Sequence, residues 1–427
     1  MPGVQPGVQR STELPASSAQ GAPHGRRPHG WLRHYAQLLG PSGAVAPKLA
    51  FERNREQRVD RLMGAIRTRR GSAAETRRMR ALQAAPGGRL RWREAPAPAP
   101  PGPDAAIVHP IAASTCDLDC ALALGATQLP LPLHLGHECV AEVLEVGERV
   151  GGVKPGDRVI VPFQVSCGEC GACQSGHTGN CTSVPPISMY GFGVAGGHWG
   201  GAFSDQLAVP YADAMLVALP TGIDPAAASG LADNICDAYR HIAPHLPGVL
   251  ERDADAEVLI MSSADRRSLL PGSVPLYTGL VALALGARRV VLADARAHIR
   301  AEAERLGMEG LDPRRLRGRA PAPLVVDMTL DGLGRSLACT APDGVCSSVG
   351  SLHHSAKVPL LLMYGRNVTL HVGRTHARAL IPRVLELMAS ERLRPLDVGT
   401  RVAGIDEAPA VLGEHFRGGV IKTILTA

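Results

Sequence analysis

The sequence predicts an α/β protein in two parts: a β-rich, barrel-like domain, then a doubly wound parallel sheet with helices on both faces. Two observations predict it. From Met79 to about Pro220 the chain runs in short β-type stretches (AAIVHPIAAST, ECVAEVLEVGERV, GDRVIVPF, GGAFSDQLAV) separated by Gly/Pro turns. From Ala256 onward, apolar strand-like segments alternate with helix-like ones. Strands that are apolar throughout are buried on both faces, as in a parallel sheet covered by its crossover helices.

The segments follow in order. Residues 1–78 carry 14 Lys/Arg against 5 Asp/Glu, whereas the rest of the chain has 31 against 34. The net charge of +6 therefore belongs to the first segment alone. That segment is rich in Arg, Pro, Gly and Ser and is expected to be a disordered basic extension, or the product of a start placed too far upstream. Only Trp31, Tyr35 and Phe51 accompany its basic residues, too few aromatics for a nucleic-acid arm. Residues 79–225 form the expected β-rich domain. A helical stretch near Asp224–Leu246 leads into residues 226–400, where EVLIM, RRVVLAD, PLVVDM and GVCSSVG are strands and TGLVALALGA, AHIRAEAERLG and GLGRSLACTA are helices. This is a nucleotide-binding layout. Residues 401–427 end in the strand VIKTILT and are expected to return to the first domain.

No apolar run approaches the ~18 residues of a membrane span, and the N-terminus, MPGVQPGVQRSTELPASS, lacks the apolar core of a secretory signal. Ten cysteines in that setting point to a reducing, cytoplasmic compartment and to metal or catalytic roles.

Cys167, Cys170, Cys173 and Cys181 stand in one Gly-rich loop, CGECGACQSGHTGNC, as Cys-x2-Cys-x2-Cys-x7-Cys. Four thiolates at that pitch converge on a tetrahedral ion and leave no open position, the pattern of a structural zinc site. The loop has no apolar run to bury, so the metal supplies its folding energy. A second set is more scattered. Cys116 in STCDLD, His137 and Glu138 in LGHECV, and Asp233 in LADN provide a thiolate, an imidazole and carboxylates. Such donors bind zinc with one position left open, as catalytic sites do.

Gly136-His137-Glu138, Gly156-Asp157-Arg158-Val159 and the four-cysteine loop, in this order, resemble the zinc-containing medium-chain alcohol dehydrogenases. The resemblance runs from Met79 to Ala427 and includes Cys116 with Asp119, Ser188–Gly191 and Gly200-Gly201-Ala202. It implies a GroES-like catalytic domain beside a Rossmann domain, and two zinc ions per chain. It also implies a small alcohol, aldehyde or ketone as substrate, and a homo-oligomer, dimer or tetramer. By position, Cys116, His137 and Asp233 match the catalytic zinc ligands. Glu138 matches a nearby carboxylate that orients His137 or exchanges onto the metal. Where many relatives have a Ser or Thr proton relay, this chain has Leu118.

The dinucleotide segment departs from the family. The turn after Met261 reads SSADRRSLLPGSVPLYTG, with only Gly272 and Gly279 of the expected glycines. Pro275 stands where a glycine is usual and removes an N–H donor; Arg266 and Arg267 sit in the same turn. Gly272 is the expected phosphate-turn glycine. Asp294, at the end of VVLAD, is expected on the ribose 2′-OH, favouring NAD over NADP. Asp327, ending the next strand, is expected near the cofactor. A catalytically silent, zinc-stabilised relative is the alternative that the altered turn and Leu118 would suit.

Overall fold

The computed structural model describes residues 77–127, 129–349 and 356–427. The extension expected over residues 1–78 lies outside them apart from its last two positions.

Three sheets are present among the described residues. A small antiparallel sheet has the order β2-β1-β4, with β1 at Arg78–Ala85, β2 at Arg89–Pro96 and β4 at Leu133–His134. A seven-stranded sheet includes β3 (Ala106–Ser114), β5 (Glu138–Val146), β6 (Arg158–Val161), β7 (Leu207–Val209) and β8 (Val217–Ala218). Its other two strands come from the chain's end, β15 (Thr400–Gly404) and β16 (Lys422–Thr426). The run β16-β3-β5 is antiparallel throughout and sets Ile424 opposite Ser114, and Ser114 opposite Glu138. Three segments far apart in sequence thus meet at one point beside His137.

The third sheet has six strands, all parallel: β9 (Glu257–Met261), β10 (Arg289–Ala293), β11 (Glu309–Leu311), β12 (Ala322–Asp327), β13 (Thr340–Ser348) and β14 (Thr369–Val372). Their order is β11-β10-β9-β12-β13-β14. The chain winds outward from β9 in one direction, returns, and winds outward from β12 in the other. The switch point therefore lies between β9 and β12, where open parallel sheets take ligands at the strands' carboxyl ends. All five residues of β9 are buried, as its unbroken apolar run predicts. The expected doubly wound sheet is present, with separate apolar clusters packed around it.

Pro275 falls in the first turn of the helix Ser273–Ala284. N–H groups there have no intrahelical acceptor, so the ring is accommodated without breaking the helix. No helix among the described residues is long and apolar enough to cross a membrane.

Candidate zinc centres and dinucleotide cleft

The four cysteine sulfurs converge. Cys167, Cys170, Cys173 and Cys181 each place Sγ within 4.8 Å of the others. Cys170 and Cys181 sulfurs are 3.9 Å apart, close to the ~3.8 Å edge of a tetrahedron with Zn–S bonds of about 2.3 Å. Backbone N–H groups aim at the sulfurs: Glu169 and Cys170 at Cys167 Sγ (3.4 and 3.3 Å), Cys167 at Cys181 Sγ (3.4 Å), and Thr182 at Cys170 Sγ (3.5 Å). Such donors favour the charged sulfur. The Thr182 amide and its neighbours hold the Cys170 thiol down at about 5, while burial pushes Cys173 up to about 12. Packing around it is slight, chiefly Val184 and Tyr211.

The second centre assembles from three elements. Cys116 caps the helix Asp117–Ala123. His137 follows Gly136, whose φ of +92° and whose 2.7 Å approach to the Phe203 nitrogen at the position of a Cβ both require glycine. Asp233 sits between a 3-10 turn, Ser229–Ala232, and the helix Asn234–Ile242. Asp233 Oδ2 is 3.3 Å from His137 Nε2 and 3.6 Å from Cys116 Sγ. A tetrahedron with zinc bonds of about 2.0–2.3 Å has edges of about 3.3–3.8 Å, so these separations fit the ion. Both ring nitrogens of His137 are buried without a hydrogen bond, a cost that a metal on Nε2 would relieve. Phe163 and Phe192 flank the imidazole, with ring centroids at 5.8 and 5.2 Å.

Burial pushes the Cys116 thiol well up. Burial works against charge on His137 too, but Asp119, Asp233 and Cys116 outweigh it and raise the imidazole well above its ordinary value. Such a neutral thiol and proton-holding imidazole are what a metal converts into ligands by displacing protons.

Asp119 is the residue the sequence reading passed over as a site member. Its Oδ2 accepts the Cys116 N–H at 2.8 Å, and its Oδ1 faces His137 Nδ1 at 3.3 Å. One enclosed carboxylate thus holds the Cys116 backbone by a hydrogen bond and sets its charge beside His137 Nδ1. The signal was available, since an acid three residues after a helix cap completes a capping box.

Glu138 is adjacent in sequence but turned elsewhere. Its Oε2 accepts from Ser114 Oγ (2.7 Å) and from Lys422 Nζ (2.5 Å), and its Oε1 accepts the Asn234 N–H (2.6 Å). Burial raises this carboxyl above its ordinary value while Lys422 pulls it back, and three donors on its oxygens suit the ionised form. Cys120 and Cys236, which neighbour the candidate ligands in sequence, are not in the converging set; the Cys120 thiol donates to the Leu269 carbonyl instead.

At the switch point a cleft of about 490 Å³ is lined by Met261, Ser262, Ala293, Thr329, Arg335 and Lys357, among others. Asp294 and Asp327 are not among its walls and are fully enclosed. Asp294 Oδ1 accepts from the Arg296 backbone N–H and Nε (2.7 and 2.9 Å), and Oδ2 accepts from Ser262 Oγ and Arg296 Nη2 (2.7 and 2.6 Å). Asp327 takes hydroxyl donors from Thr329, Ser336 and Ser348 at 2.7–2.9 Å. Both sit at the strand ends where the sequence places them, with their oxygens spent on neighbours. Gly272 is the N-cap of the helix Ser273–Ala284 at φ +90°. Its N–H donates to Asp117 Oδ2 at 3.0 Å, and the Ser273 N–H donates to Asp117 Oδ1 at 2.9 Å. The helix N-terminus that would receive a pyrophosphate is thus filled by a carboxylate of the chain itself. With Asp117 in this position the helix terminus does not fit a pyrophosphate, while the cleft at the strand ends stays open.

A GroES-like zinc-site domain joined to a six-stranded sheet of Rossmann order defines the class: a two-domain dehydrogenase scaffold. Comparison with known proteins agrees. Residues 102–221 match the family described as "Alcohol dehydrogenase GroES-like domain". Geraniol dehydrogenase of Castellaniella defragrans is 31% identical over 319 residues, 70% of this chain and 84% of that protein. The "Probable zinc-binding alcohol dehydrogenase" of Mycobacterium tuberculosis is 29% identical over 349 residues, 77% and 83% of the two chains. Among solved structures, alcohol dehydrogenase TADH from Thermus sp. ATN1 superposes with a TM-score of 0.68 at 27% identity, covering 81% of this chain and 99% of its own. The chain belongs to the zinc-containing medium-chain alcohol dehydrogenase family.

Proposed function

We propose that the protein is a zinc-dependent alcohol dehydrogenase that interconverts a small alcohol and its aldehyde or ketone, with a nicotinamide dinucleotide as hydride partner. One observation carries the reading: Asp233 Oδ2 stands at tetrahedral-edge separations from His137 Nε2 and Cys116 Sγ, 3.3 and 3.6 Å, and a set of three ligands leaves the fourth position of a tetrahedral zinc for substrate. Zinc, when bound, supplies Lewis acidity to the substrate oxygen. The chain's own residues do the rest. Asp119 fixes Cys116 and His137, and Phe163 and Phe192 wall the imidazole. Leu118, half-buried beside Cys116, has no atom that could pass a proton, so the alcohol proton leaves by another route. Cys167, Cys170, Cys173 and Cys181 hold a second zinc with a structural role.

The sequence favours NAD through Asp294. Enclosed and paired with Arg296 at 2.6 Å, that carboxylate offers the ribose no acceptor and a 2′-phosphate no net repulsion. The proposal therefore extends to either dinucleotide. The test is metal analysis of purified full chain together with NAD- and NADP-linked oxidation of a panel of small alcohols. Two zincs per chain and reduction of one dinucleotide are expected; a single zinc, or no dinucleotide reduction with any alcohol, would sink the reading.

A homo-oligomer forms part of the same proposal. Among the described residues strand β14 is an unpaired sheet edge, and the neighbouring helix Leu360–Arg366 exposes Leu360, Leu361 and Tyr364 at 69, 84 and 87%. A second copy would cover that face, and light scattering is expected to return a dimer or tetramer; a monomer at micromolar concentration removes this part.

A further inference from the structure

Asp117 has no part in the proposed function, yet its seat bears on it. The residue directly follows Cys116 and reaches across to the first turn of the helix Ser273–Ala284, 155 residues further along. Besides the two backbone N–H groups it takes the Ser273 hydroxyl, 2.6 Å from Oδ1. Ser273 is fully buried, and its hydroxyl oxygen also accepts from Asn234 Nδ2 at 3.1 Å. The loop before this helix is tied at two more points. The Arg296 guanidinium, itself gripped by Asp294, donates to the Leu270 carbonyl, and the Cys120 thiol donates to the Leu269 carbonyl at 3.4 Å. The end of the lengthened turn thus meets the helix Asp117–Ala123 through Cys120 and Asp117, and the end of β10 through Arg296.

We infer that Asp117 is an internal stand-in for the pyrophosphate of the dinucleotide, so that cofactor entry requires it to leave the helix N-terminus. The inference rests on the proposed dinucleotide-linked activity and adds what controls access to it. The donors are few and point at one position, where the helix dipole favours a negative group. A pyrophosphate brings two negative charges to that position and cannot share it with a carboxylate. The cleft at the ends of β9 and β12 has other walls, Met261, Ser262 and Thr329 among them, so the Asp117 clasp closes the helix terminus without filling that cleft. A ligand that must first break such a clasp binds more weakly by the fraction of time the clasp stands open. Because Asp117 adjoins Cys116, release also moves the backbone beside a proposed zinc ligand.

The test uses zinc-loaded full chain. NADH and NADPH are titrated by fluorescence into the wild type, Asp117→Ala and Asp117→Asn. Asp117→Ala is expected to bind about tenfold more tightly, with Asp117→Asn between the two, as removal of a charge that competes at a helix terminus requires. Hydrogen exchange on the wild type gives a second readout: saturating NADH should speed exchange in the segment Asp117–Ala123. Equal or weaker binding by Asp117→Ala overturns the inference. Should that variant not fold, unchanged wild-type exchange in this segment under saturating NADH overturns it alone. Binding to the wild type without that exchange change removes the clasp and leaves the dehydrogenase reading standing. No binding of either dinucleotide to any of the three at millimolar concentration removes both.

Discussion

His137→Ala is expected to lower alcohol oxidation by about three orders of magnitude or more, since Lewis-acid activation contributes several kcal/mol and each 1.36 kcal/mol is a factor of ten. The zinc content should fall from two per chain to one while the fold persists, because the four-cysteine lobe is separate from this centre. Melting temperature and circular dichroism check the fold, and metal analysis checks the count. Full activity, or loss of both ions together, would contradict the assignment. Asp119→Asn is the instructive companion. It retains an acceptor for the Cys116 N–H but gives up the charge facing His137 Nδ1. A carboxylate that orients a metal-bound histidine is typically worth 10–100-fold in affinity or activity, so this variant should keep zinc weakly and work slowly. If Asp119→Asn equals His137→Ala in effect, Asp119 does more than position.

What could be read in the sequence follows from how local each arrangement is. The cysteine loop was legible outright, because its four sulfurs lie within fifteen residues and their pitch alone fixes convergence. The alternating strands and helices after Ala256 were legible for the same reason: burial on both faces writes itself as a continuous apolar run. The scattered ligands Cys116, His137 and Asp233 needed the family resemblance, since no local rule joins a thiol to a carboxylate 117 residues away. Asp294 and Asp327 were placed correctly at strand ends, but their enclosure was not legible. It depends on an arginine two residues on in one case, and in the other on hydroxyls from a loop, the helix Leu333–Ala338 and the end of β13. Asp117 carried no signal in the sequence. Its true acceptor role belongs to a different helix, and that pairing exists only once the two domains are packed.

The same non-local packing makes Lys422 a residue whose loss should cost several kcal/mol of stability. It lies in the strand KTILT, where a lysine among apolar neighbours would ordinarily point to solvent, yet its side chain is only 1% exposed. The antiparallel run β16-β3-β5 carries it to Glu138, 284 residues earlier, with Nζ 2.5 Å from Oε2 and 5.6 Å from the Tyr277 ring centre. Lys422→Met keeps most of the side chain's volume and removes its charge, leaving the Glu138 carboxylate buried with only the Ser114 and Asn234 donors. Breaking a buried pair from one side costs about 3–5 kcal/mol, because the remaining charge is neither solvated nor paired. Urea denaturation should show a loss of that size. Glu138→Gln added to Lys422→Met should recover much of it, since the amide oxygen can still accept from the Asn234 N–H and no charge is stranded. A double variant as unstable as the single one would mean that Lys422 acts through packing against Tyr277 and not through its charge. Either result reports on catalysis as well. Glu138 adjoins His137, and the Asn234 N–H it accepts follows Asp233, so the pair anchors the backbone beside two of the three proposed zinc ligands.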